Sequence, residues 1–172
     1  MSEAVFNRLV AIVENGTYSG SSLGAKALRT FADSIDPIAK PCVLILPRAN
    51  TGWQRESSGH WQTNISYELH YYVQPISQQN QVVGIADASN LEILASKIFL
   101  ARPQLQLFNV TALPPPDEVV GEISLSTISN LALPIPYPPS SVSSGQGASL
   151  YWGFIQRLVI PTRIYVDYLP LG

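Results

Sequence analysis

The segment 61–75, WQTNISYELHYYVQP, alternates apolar and polar residues almost without a break. Trp61, Thr63, Ile65, Tyr67, Leu69, Tyr71 and Val73 share one parity and are mostly apolar. Gln62, Asn64, Ser66, Glu68, His70 and Gln74 share the other, with Tyr72 the exception. A period of two over this length predicts a half-buried antiparallel strand, with His70 on its solvated side. The stretch from Leu150 to Leu169 repeats the pattern. Trp152, Phe154, Leu158, Ile160, Ile164, Val166 and Tyr168 are apolar, and Arg157, Arg163 and Asp167 fall on the opposite parity. CVLILP (42–47) is apolar throughout and ends in Pro47, as a buried strand would. Weaker alternation predicts strands over 104–113 and 122–133.

Two segments have helical spacing instead. Ser2 offers an N-cap, then Val5, Phe6, Leu9, Val10, Ile12 and Val13 follow, and Gly16 is placed to stop the helix. A second helix is expected to start at Asp87 or Ser89, since Ser89 and Glu92 have capping-box spacing. Leu91, Leu94, Ala95, Ile98 and Phe99 form its inward stripe, and Pro103 ends it. Ala25–Ile35 reads as a further short helix with Leu28, Phe31 and Ala32 inward. Arg48–Gly59 is polar and glycine-containing, and predicts a long hairpin tip. Leu133–Gly147 (LPIPYPPSSVSSGQG) predicts a proline-rich arm. The order implies an α+β fold: a mixed, mainly antiparallel sheet with two main helices packed on one face. Residues 1–172 are expected to form a single domain.

Composition changes the picture in one respect. Charged residues make up 13% of the chain, against roughly 25% in ordinary soluble domains. Ile123–Gln156 contains no Asp, Glu, Lys, Arg or His, and Pro103–Pro116 is also uncharged. In Leu69–Ala86 the only ionisable side chains are His70, Tyr71 and Tyr72. Long uncharged, partly apolar segments point to surface covered by other subunits. The alternative is a monomer kept soluble by its many Ser, Gln, Asn and Thr residues. A net charge of −2 and a pI near 5.6 give no general attraction to nucleic acid or anionic membrane. The first residues lack the basic region of a signal peptide, and no run approaches a membrane span.

Candidate chemistry is sparse. The single cysteine, Cys42, sits inside PCVLILP and reads as a buried, inert thiol. His60 and His70 have no companions at metal-ligand spacing. GTYSGSSLGAK (16–26) fails as a phosphate loop because Ala27 follows Lys26, and no G-x-S-x-G elbow occurs. Asp33/Asp36 and Asp117/Glu118 lie beside prolines, where turn and capping roles explain them. No catalytic, cofactor-binding or metal-binding residue is expected, nor an enzyme. A small-molecule-binding or enzymatic α+β domain is the alternative of a different class. It predicts a pocket converging on His60, His70 or Cys42.

The amphipathic N-terminal helix, the polar hairpin tip, YELHYYVQP, DASNLEILASKIFLARP and the final LYWGFIQRLVIPTRIYVDY together resemble one family, the tail terminator (tail completion or neck) proteins of tailed bacteriophages. The resemblance lies in element order and covers most of the chain. It implies a subunit of a homo-oligomeric ring, typically a hexamer. The ring caps the tail-tube protein, receives the head-side connector and lets DNA pass through its lumen without specific binding. The implied location is the virion, assembled in the host cytoplasm, with no membrane partner. Another neck, head-completion or tail-tube subunit would share much of this architecture. Pairing of the long C-terminal strand between subunits is one expected way to close such a ring. The expected interface residues are Trp53 and Arg55 at the tip, Leu133, Ile135, Tyr137 and Val142 in the arm, and Tyr151, Trp152 and Phe154 on the last strand. For Trp152 and Phe154, plain core packing is the competing expectation.

Overall fold

The computed structural model describes residues 3–57, 59–105, 118–139 and 147–166. In chain order, helix α1 (Glu3–Asn15) leads into a small ribbon, β1 (Thr17–Tyr18) and β2 (Ser21–Ser22). Then come β3 (Lys26–Leu28), β4 (Cys42–Pro47), β5 (Gln54–Ser57), β6 (His60–Pro75) and helix α2 (Gln81–Leu100). The chain closes with β7 (Glu118–Val120), β8 (Ser124–Thr127), β9 (Ile135–Tyr137) and β10 (Ser149–Tyr165). The fold is α+β, with both helices on one face of a mixed, mostly antiparallel sheet.

Two long strands form its spine. β6 and β10, of 16 and 17 residues, pair antiparallel from Tyr151↔Pro75 to Tyr165↔His60. β4 and β5 share the other edge of β6. The other edge of β10 is taken in turn by β9, β8 and β7. The C-terminal strand is therefore internal, and it has no free edge along these pairings to offer another subunit. This corrects the expectation of ring closure through β10. The sheet's outer edges are short strands, which is how natural sheets limit edge-to-edge pairing.

Alternation puts Ile65, Tyr67, Leu69 and Tyr71 of β6 against α1 and α2, together with Phe154, Leu158 and Ile160 of β10 and Val43 and Ile45 of β4. The other parity was expected to be solvated, yet Glu68, His70 and Tyr72 are buried. The segment between β3 and β4 folds over that face with β9. It forms a second apolar cluster of Leu28, Ile35, Cys42, Leu44, Leu46, Tyr72, Ile135, Tyr137 and Tyr151. CVLILP is apolar at every position because β4 is covered on both faces.

Four other local expectations change. The helix expected over Ala25–Ile35 is instead strand β3, parallel to β4, followed by irregular chain. Ala27 packs toward the helices and Leu28 toward the second cluster, so the true period is two, and short alanines obscure it. α2 starts six residues before Asp87, at Gln81. Asn80 precedes it, taking a bond from the Ser77 amide through its side chain (2.9 Å) and one from the Gly84 amide through its carbonyl (2.7 Å). The strand expected over 122–133 is confined to Ser124–Thr127. It gives way to a turn in which Asn130 accepts the Ala132 amide through its side chain (3.0 Å). Of the strand expected over 104–113, Gln104 and Leu105 lie in a turn, and the rest is outside the described residues.

Two glycines are required by close approach. A Cβ on Gly153 would run into the Tyr71 carbonyl, beside the bulge where the β6–β10 register shifts. A Cβ on Gly84 would enter the indole of Trp152, which lies against the first turns of α2. Gly84→Ala is therefore expected to cost about 1–3 kcal/mol by overpacking. That corresponds to a Tm several degrees lower at about 2–4 °C per kcal/mol. Gly147→Ala, which meets open space, is the control and should leave Tm unchanged. Differential scanning calorimetry distinguishes them; equal melting of the two variants would refute the Gly84–Trp152 contact.

Candidate assembly surface

The expected interface residues fall into three groups. Trp53, Arg55 and Leu133 are exposed, and Leu133 keeps 58% of its surface. Val142 lies outside the described residues. Ile135, Tyr137, Tyr151, Trp152 and Phe154 are buried by the chain itself, at 4% exposure or less. They are core residues here and present no docking surface. The physical reason is pairing: β9 binds the first residues of β10, so the start of the arm is a sheet strand.

Tyr72 meets Tyr137 and Tyr151 edge-on, with ring centroids 5.4 and 5.5 Å apart. Its hydroxyl donates to the Pro136 carbonyl (3.1 Å). The Tyr137 hydroxyl donates to the Ala32 carbonyl (2.6 Å) and accepts the Ala32 amide (3.0 Å). The Tyr151 hydroxyl donates to Asp36, and Lys40 donates to the carbonyls of Ile35 and Ile38. These bonds fasten the segment between β3 and β4 over the sheet. On the helix face, Phe154 stacks on Tyr71 at 4.2 Å and Trp152 Nε1 donates to Asn80 Oδ1 (3.0 Å).

The chemical candidates do not converge. His60 and His70 stand at opposite parts of β6, about 33 Å apart at about 3.3 Å per residue. Cys42 is fully buried, and burial pushes its thiol up against the smaller opposing pull of Lys40, so it stays protonated near neutral pH. Among the described residues no group of three or more His, Cys, Asp or Glu could hold a metal ion. No described helix is long and apolar enough to cross a membrane.

An ionic cluster in the sheet centres on Glu68. Its carboxylate accepts from Arg48 (2.6 Å), His70 Nε2 (3.1 Å) and Arg157 (3.2 Å). Burial alone would raise its pKa, but the hydrogen bonds from Arg48, His70 and Arg157 outweigh this and bring it to about 2. A carboxylate so engaged is a poor base near neutral pH. It ties the end of β4 to β6 and β10. His70 is held neutral: burial depresses its pKa more than the Glu68 carboxylate raises it. With Nε2–H donating to Glu68, the buried Nδ1 has no hydrogen-bond partner.

A different surface stands out: one end of the spine, where two charge-free stretches meet. The Ile76 amide donates to the Leu150 carbonyl (3.2 Å), and the Ile128 amide to the Ile155 carbonyl (2.9 Å). Ile76, Ile128, Leu133 and Leu150 are all exposed there. So are Val82 and Val83 at the start of α2, with Val82 at 81%. Beside Ile76 lies a hollow of about 420 Å³, lined by Ile76, Ser77, Gln78, Gln81 and Trp152. The uncharged run Leu69–Ala86 signalled this surface in the sequence. Val82 and Val83 are exposed because α2 begins at Gln81, ahead of the capping-box spacing at Ser89.

The ionic cluster sets a pH dependence. Glu68 has a depressed pKa, so its contribution to stability is complete above its ordinary 4.5 and is lost as pH falls toward about 2. The depressed pKa of His70 acts with the same sign: its contribution is complete above 6.5 and declines as pH falls below that. Thermal melts should therefore be flat between about pH 7 and pH 8 and fall in two stages on acidification. Glu68→Gln should remove the lower stage. An unchanged Tm from neutral pH to pH 3 would contradict the cluster.

Neither a family model nor a curated protein sequence matches this chain.

Proposed function

We propose that the chain is a structural virion protein of the tail-terminator type, acting as one subunit of a homo-oligomeric ring. The observation that carries this reading is the uncharged end of the spine. Ile76, Val82, Val83, Ile128, Leu133 and Leu150 lie exposed within the two stretches that lack Asp, Glu, Lys and Arg. Exposed apolar surface without charge favours association with another protein surface. The element order supplies the rest, because it resembles tail-completion proteins. On this reading the ring, a hexamer, caps the tail-tube protein and meets the head-side connector, and DNA passes through its lumen. Ring closure then uses apolar side-chain surface, since both edges of β10 are occupied within the subunit. A neck, head-completion or tube subunit is the nearest competing role.

The test combines multi-angle light scattering of the purified chain with negative-stain imaging of its mixture with tube protein. Expected are closed rings and tubes of limited length. Leu150→Asp, at a half-exposed position, should reduce ring formation by at least about tenfold with Tm within about 2 °C of the parent. A chain that stays monomeric and never limits tube growth would overturn the proposal. A chain that polymerises into tubes by itself would make it the tube subunit instead.

A further inference from the structure

Two arginines flank a hollow of about 300 Å³ where the end of α1 meets the end of α2. Its lining is Arg8, Ala11, Ile12, Asn15, Gly16 and Arg102. On α1, Arg8, Ala11, Ile12 and Asn15 stand at i, i+3, i+4 and i+7, so they share one side of the helix. Arg102 follows Ala101, the C-cap of α2. Lys97, in the last turn of α2, is exposed, and its Nζ lies 5.7 Å from the centre of the Tyr18 ring, two residues beyond Gly16.

Backbone carbonyls fix the guanidinium groups. Arg8 Nε donates to the Leu105 carbonyl (2.7 Å). Arg102 donates to the carbonyls of Ile98 (2.7 Å) and Thr17 (3.1 Å). A guanidinium carries more N–H groups than these two bonds use, so Arg102 can still donate. No described carboxylate lines the hollow, and among the described residues neither Arg102 nor Lys97 forms an ion pair. Glu14, beside Asn15, is turned to Lys26 (3.6 Å) and the Ala27 amide (3.2 Å). The last carbonyls of a helix repel anions, but here Arg102 engages that of Ile98. The chain has a net charge of −2, so this is a local excess of positive charge.

We propose that the hollow binds a phosphate-class oxyanion. Arg102 supplies the main donors, Arg8 and the Asn15 amide flank the ligand, and Lys97 adds charge at the rim. A guanidinium fork matches two oxygens of such a group. A tetrahedral anion has further oxygens for donors from the α1 side, whereas a planar carboxylate would spend both of its oxygens on one fork. The phosphate comes from the free ion or from a nucleic-acid backbone. The site lies one helix length, about 30 Å, from the uncharged surface at the start of α2, and it does not depend on the ring reading.

The test is the Tm of the full chain in rising inorganic phosphate, against chloride at matched ionic strength. A saturable rise is expected, with half-effect on the order of 1 mM and about 3–6 °C at tenfold that concentration. Arg102→Gln removes the main donor and Asn15→Asp brings a like charge, so each should abolish the saturable rise. General stabilisation by excluded salt is unsaturable and would persist in both variants. Each variant is compared with itself without phosphate, so a lower starting Tm does not mask the result. A short DNA duplex in place of phosphate identifies the source. A rise that Arg102→Gln abolishes assigns the backbone phosphodiester, and a silent duplex assigns the free ion. No rise over chloride, or a rise equal in the parent and both variants, would overturn the proposal.

Discussion

The pairing of β6 with β10 is the constraint on which everything else depends. Two strands of this length, in register from Tyr151↔Pro75 to Tyr165↔His60, supply backbone partners for each other and for five shorter strands. They join residues far apart in sequence, so the fold forms only when the C-terminal third of the chain returns to the middle. Such non-local pairing carries a large closure entropy, which must be offset by burial on both faces. The helices cover one face, and the Tyr72–Tyr137–Tyr151 cluster covers the upper part of the other.

Polar groups then fix how the layers sit. Glu68 joins three segments through Arg48, His70 and Arg157 on one face. On the opposite face Gln156 donates to Ser96 Oγ at 2.9 Å, and Glu92 also takes the Thr127 hydroxyl, so α2 is tied to β10 and β8. Buried polar groups of this kind hold one arrangement against the alternatives that an apolar core alone would permit. The consequence for function is that the tyrosines and tryptophan at the start of β10 are committed to the interior. The apolar side chains left exposed around them include Ile76, Leu133 and Leu150.

The legible parts of the sequence were those with a strong period. α1, β4, β6 and β10 follow directly from spacing, as does the inward stripe of α2 through Ala95, Ile98 and Phe99. What was hidden depended on distant chain. His70 read as solvated because nothing in its strand reveals that this face of β6 is buried. Gln81 was missed as the start of α2 because Gly84 is a poor helix former, and its reason for being there, Trp152, lies on another element. Tyr137 and Tyr151 read as arm and edge residues because aromatic side chains in a charge-free stretch suit an interface and a core equally. The charge deficit has two sources: the uncharged runs hold core residues such as Tyr71, Tyr72, Tyr151 and Phe154 as well as exposed ones such as Ile76 and Leu133.

The central claim is that the uncharged end is covered by other protein in the assembled state. Hydrogen exchange read by mass spectrometry, on the chain diluted to monomer and on its assembly, tests this most directly. Amides in 76–83, 128–133 and 147–151 should gain at least about tenfold protection on assembly, while the centre of β6 is already protected in both states. Equal exchange of these three segments in the two states would contradict the account.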